Sequence, residues 1–152
     1  MKIIRLLAVM LILISGNSFA QKPALVKPIK IPALQTFLAT YKDSTAISAQ
    51  VAASIVGLPI KVTDAKKQAY KIIHYQVSFK KFGVREDEET GMMIPSYTMS
   101  AESFTQTPMS AIWIKSIQEL IKKGDELYFF DIIVKDAQGH VMYAPDIKFT
   151  IL

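Results

Sequence analysis

The stretch Thr107–Gly124 constrains the fold most, because its start, its apolar face and its stop all specify a helix. Thr107 is a good N-cap, and Pro108 falls where the first helical N–H has no partner within the helix. Met109, Ile112, Trp113, Ile117, Leu120 and Ile121 recur at helical spacing as one apolar stripe. Lys115, Gln118, Glu119 and Lys122 lie off it. Lys122 and Lys123 suit the helix C-terminus, and Gly124 suits the left-handed position beyond it. The periodicity predicts one amphipathic helix at about 108–123, with Trp113 in the core and Ile114 exposed.

A helix with one apolar stripe must bury it on something, and the flanking sequence supplies strands. Ile73, Tyr75, Val77 and Phe79 alternate with His74, Gln76, Ser78 and Lys80, as a half-buried strand does. The polar run Arg85–Gly91 then makes a loop, and the Tyr-, Thr- and Ser-rich segment Ile94–Phe104 makes a second strand. Together they predict a long antiparallel hairpin with Pro95 at an edge or strand start. Leu127–Val134 follows the helix, with Tyr128, Phe130, Ile132 and Val134 expected on one apolar face. Asp136–Gly139 signals a turn, and Val141–Tyr143 and Ile147–Leu152 finish the sheet around Pro145. Residues 35–56 are ambiguous. The alternation of Ile47, Ala49, Val51 and Ala53 favours a strand. The expected class is α+β, mainly antiparallel β in a sandwich-like sheet, with one helix.

The N-terminus has the form of an export signal. Lys2 and Arg5 precede an unbroken apolar run, Leu6–Ile14, and Ser18-Phe19-Ala20 offers the small residues that signal peptidase requires. The run has nine residues, against about 20 for a membrane-spanning helix. We therefore expect residues 1–20 to be removed after Ala20, leaving no transmembrane segment in the mature chain. Residues 21–34 hold Pro23, Pro28 and Pro32 between lysines, which predicts an extended linker. Residues 35–152 then form a single globular domain. The expected location is the periplasm or the outer membrane.

Charge and composition narrow the chemistry. Losing Lys2 and Arg5 lowers the formal charge of +5 by two, and Arg85 is the only arginine left. Nucleic-acid surfaces rely on arginine and gather charge on one face. The lysines here are dispersed, so nucleic acid is not an expected partner. With no cysteine, thiolate catalysis and thiolate metal sites are excluded. His74 and His140 are the only histidines, and neither has a carboxylate at ligand-like spacing. Glu86, Asp87, Glu88 and Glu89 are consecutive, and four consecutive side chains in a loop cannot all converge on one cation. No catalytic residues, metal or cofactor are predicted, and the chain is not expected to be an enzyme. The candidate interface residues are Met92, Met93, Tyr97, Ile114 and Tyr143, with Met99 of the same class, as adaptable or aromatic contact groups outside the predicted core.

From Ala69 to Leu152 the chain resembles a known family. Tyr75-Gln76-Val77-Ser78-Phe79 is similar to a V-x-x-F strand, and Phe104–Met109 to an F-T-x-x-M start of a helix. Ile121–Phe129 resembles a helix end written K-x-G-x-x-x-Y-F. Ile132–Gly139 with Ala144–Phe149 resembles a closing I-x-A-x-x-x-D-G…L-x-P-I-x-F. Their order is that of the C-terminal periplasmic domain of the gliding-motility and type IX secretion shaft protein family (GldM/PorM). That family couples an inner-membrane motor to outer-membrane ring components through a dimeric shaft with a transmembrane helix and several periplasmic domains. Here a cleavable leader is expected in place of the spanning helix, with a single domain after it. The resemblance implies a detached interaction domain, an accessory subunit or paralogue of secretion and gliding components. Its expected partners are envelope proteins, with a homodimer left open. The alternative is an exported domain that binds a small ligand or glycan.

Overall fold

In the computed structural model, residues 32–152 are described. The leader and nearly all of the Pro/Lys-rich linker lie outside the described residues. The unit Ile31–Leu152 is compact in itself.

Among the described residues nine strands form one sheet: β1 (Leu34–Leu38), β2 (Tyr41–Lys42), β3 (Thr45–Ile47), β4 (Ile60–Asp64), β5 (Ala69–Glu86), β6 (Met93–Phe104), β7 (Glu126–Lys135), β8 (Val141–Tyr143) and β9 (Ile147–Ile151). Among the described residues two helices, α1 (Ala49–Ile55) and α2 (Ala111–Leu120), interrupt them. The main path runs β2-β1-β4-β5-β7-β9-β3, with β6 added to β5 and β8 to β7. Every pairing is antiparallel except β3 with β9. This is the expected α+β class with a mainly antiparallel sheet.

The inner faces of the two ends of the sheet share one core. Leu34, Leu38, Ile60 and Val62 on β1 and β4 belong to the same buried cluster as Tyr75, Val77, Phe129 and Phe149 on β5, β7 and β9. Thr36 is buried on that inner face, and its hydroxyl donates to the Pro145 carbonyl at 2.6 Å. That bond ties β1 to the segment leading into β9.

The strand expected around Ile47–Ala53 is instead the end of β3 followed by α1. Ser48 caps the helix, accepting from the Val51 N–H at 3.3 Å. Ala52 and Ile55 then face inward with helical spacing. Alanine satisfies either period, so the cap decides.

α2 starts later and ends earlier than predicted. Ser110 occupies the N-cap position without a side-chain bond, while Thr107 serves a different element. Its hydroxyl accepts the Ile60 N–H at 2.8 Å, joining the loop after β6 to β4. The buried face of α2 is also rotated from the expected stripe. Ile117 is buried, and Trp113, Ile114 and Ile121 pack against the core. Ile112 is 82% exposed and Leu120 48%. Ile114, expected to be exposed, is therefore partly buried, and Ile112 takes the exposed place.

β7 carries the largest correction. Leu127 and Phe129 point inward, and so do Ile132 and Val134. Both pairs can face the core only because the ladder slips between them. Asp131 adopts φ 49°, and the register with β5 shifts near His74–Gln76. Tyr128 and Phe130, expected inside, stack on each other on the outer face at 5.0 Å between ring centres.

Candidate functional site

The β5–β6 hairpin outruns its neighbours. β5 pairs with β7 only as far as Lys80 opposite Glu126, while its pairing with β6 continues to Glu86 opposite Met93. From Lys81 to Thr98 the hairpin is a two-stranded ribbon, and a ribbon with no third strand must be held at its root. Asp125, fully buried, supplies that anchor. One carboxylate oxygen accepts the Phe82 N–H at 2.7 Å, and the other accepts the Lys122 N–H at 2.9 Å. The Asp125 carbonyl accepts the Ile151 N–H, and the Gly124 N–H donates to the Ile151 carbonyl, both at 2.9 Å. One loop thus fastens the ribbon to the end of α2 and to the C-terminal strand.

The tip is closed by its own acid. The Asp87 carboxylate accepts from the Thr90 hydroxyl at 2.8 Å and the Thr90 N–H at 2.9 Å. These bonds, the hydroxyl's first, hold the carboxyl below its ordinary range. Gly91 completes the turn at φ 65°. Asp87 is therefore committed to the turn. Among the described residues no three acidic or histidine side chains gather as metal ligands would.

Residues of one parity share a face of the ribbon. The face away from the core carries Phe82 and Val84 on β5, with Met93, Pro95, Tyr97 and Met99 opposite on β6. Val84 is 57% exposed, Met93 62%, Tyr97 54% and Met99 68%. Phe82 meets Tyr97 edge to face at 5.7 Å, and Lys80 lies over the Tyr97 ring at 4.2 Å. The patch is thus an apolar strip with one aromatic pair and one cation at its base.

Where the strip meets the main sheet, its outer face turns polar. Glu126 bridges Lys148 at 3.0 Å and Lys80 at 3.6 Å. The Lys148 bond, more than any other contact, pulls the Glu126 carboxyl below its ordinary range. The Tyr128 hydroxyl donates to Asp146 at 2.5 Å, which raises the phenol. These groups and Met99 line a shallow groove.

The five candidate residues divide between two places, with one misassigned. Met92, Met93 and Tyr97 lie together at the tip and along the ribbon. Tyr143 is 73% exposed on β8, which pairs with the far end of β7. Ile114 packs inward against the core. Val84 and Met99 belong with the ribbon group, and of the two only Val84 was missed. Met99 shares parity with Met93 and Tyr97. His140 also departs from expectation, because its Nδ1 lies 2.8 Å from the Asp136 carboxylate. Desolvation raises the Asp136 carboxyl, the bonds from His140 outweigh it, and the group titrates low. The same carboxylate accepts the Gln138 and His140 N–H groups, so the pair closes the β7–β8 turn.

A scan against protein-family models finds no match, and a search of curated proteins finds none. Among the described residues no helix is long and apolar enough to cross a membrane.

Proposed function

We propose that this chain is a non-catalytic protein-interaction domain of the bacterial envelope, docking through the outer face of the β5–β6 ribbon. The observation that carries the reading is the alignment of Val84, Met93, Tyr97 and Met99, each more than half exposed, on one face of a projecting ribbon. Scattered exposed apolar residues are ordinary, whereas a contiguous strip on an anchored projection has the character of a contact surface. Methionine adapts to its partner, and tyrosine gives a large contact area with a polar end. The acidic tip, Glu86 to Glu89, favours approach by a basic partner surface.

The export-type leader supports an envelope location. The order of motifs from Ala69 onward supports a role beside the type IX secretion and gliding machinery, as an accessory subunit or paralogue. The test is affinity purification from the native host after mild cross-linking. The native protein is compared with a variant carrying Val84→Ser, Met93→Ser, Tyr97→Ser and Met99→Ser. Recovery of secretion or gliding components with the native protein and their loss with the variant is the expected result. Equal recovery with both would place the contact elsewhere and overturn the proposed surface.

A further inference from the structure

Among the described residues β6 hydrogen-bonds to β5 alone, so the second edge of a 12-residue strand is open. Which backbone groups face outward follows from Phe82. Its N–H reaches Asp125, away from β6. In an antiparallel ladder the opposite residue, Tyr97, then turns its own N–H and C=O away from β5. Alternation directs Met93, Pro95, Met99, Ala101 and Ser103 outward as well. Pro95 has no N–H to offer, but Tyr97 to Ser103 present a row of free donors and acceptors. Another extended strand is the natural complement of such a row. Glu102 is the only charged side chain on β6, so the edge lacks the lysines that commonly block pairing.

We propose that this edge pairs antiparallel with β6 of a second copy of the chain, about a two-fold axis at Thr98. The inference goes beyond the docking face, since it uses the backbone edge and is independent of any envelope partner. Three observations favour a second copy in this register. Tyr97 falls opposite Met99 of the other copy, twice, on the same face, giving sulfur–aromatic contacts. Ser96 falls opposite Ser100 on the other face, a favourable hydroxyl pair. Glu102 falls opposite Ile94, so no like charges meet.

Charge complementarity is a fourth observation. Lys71 and Lys135 are directly opposed across β5 and β7, both exposed. Among the described residues neither forms an ion pair. Opposed like charges destabilise a ladder. Continued past Phe104, the register carries the acidic tip of the second copy towards the groove that Lys71 lines with Thr105, Gln106 and Thr107.

The chain has no cysteine, so Thr98→Cys creates a sole thiol on the axis. Two such residues would form a non-hydrogen-bonded pair with Cα atoms about 4.5 Å apart, within disulfide range. Under mild oxidation the purified Thr98→Cys protein should cross-link as a dimer, and Ser103→Cys should not. Sedimentation should show the native protein dimerising with concentration. Ala101→Pro, which removes an outward N–H, should weaken the dimer on the order of tenfold while circular dichroism stays unchanged. Exchanging Glu88 and Glu89 for lysine should weaken it too, with recovery when Lys71→Glu and Lys135→Glu are added. A native protein that stays monomeric at every concentration overturns the proposal. So does a dimer that Ser103→Cys locks and Thr98→Cys does not.

Discussion

The buried Asp125 carboxylate accepts the Phe82 backbone N–H at 2.7 Å, at the point where β5 leaves β7 behind. The acid continues the ladder for one more bond. It thereby couples the projecting ribbon to the loop after α2, whose Lys122 N–H it also accepts. Asp125→Ala should leave both N–H groups without a partner and cost about 3 kcal/mol. Urea unfolding measures that loss, and a change under about 0.5 kcal/mol would remove Asp125 as the anchor.

Gly124 sits beside this anchor at φ 89°, where an added Cβ would lie 3.0 Å from the Phe82 ring. Gly124→Ala meets both a backbone penalty and a clash at the ribbon's root. A loss of about 1–2 kcal/mol is expected from the backbone alone. Thermal melting checks it.

Phe129 and Phe130 are adjacent but lie on opposite faces. Phe129 is 1% exposed, whereas Phe130 stacks on Tyr128 on the outer side. Phe129→Ala should cost about 3–5 kcal/mol and Phe130→Ala distinctly less. The reverse order in denaturant melts would contradict the Asp131 bulge.

Those two phenylalanines show what the sequence could and could not reveal. The hairpin, the Asp136–Gly139 turn and the antiparallel sheet were legible, since turn residues and alternation are local signals. β7 was legible as a strand but not in phase. Leu127-Tyr128-Phe129-Phe130 is apolar in both registers, so alternation cannot choose a face, and the bulge at Asp131 depends on tertiary pairing. The α2 face was misjudged for a related reason. Ile112 and Ile114 are chemically alike, and only tertiary packing decides which is covered: Ile114 lies beside the end of α1, where a Cβ on Gly57 would meet it at 3.4 Å. In the candidate surface, β6 was legible as a strand. Its projection was not, because it depends on where β7 begins.

Tyr75 gives a dependence on pH. Its hydroxyl donates to the Gln106 carbonyl at 3.0 Å, and burial pushes the phenol up to about 12, against a smaller lowering from Thr107. The folded state therefore holds this proton more tightly than the unfolded state. The contribution is complete below the unfolded value near 10 and is lost as pH rises towards about 12. Stability should fall between those values by an amount approaching 2–3 kcal/mol. Tyr75→Phe should flatten that part of the profile, and a native slope surviving in the variant would assign it to other groups.

The outer face of the ribbon is the surface proposed to meet a partner. Site-specific photo-cross-linking in the native host tests it most directly. A photoreactive residue replaces Val84, or Lys61 on the exposed side of β4 as the control. A discrete adduct with an envelope protein is expected at Val84 and none at Lys61. Adducts at Lys61 with none at Val84 would contradict it.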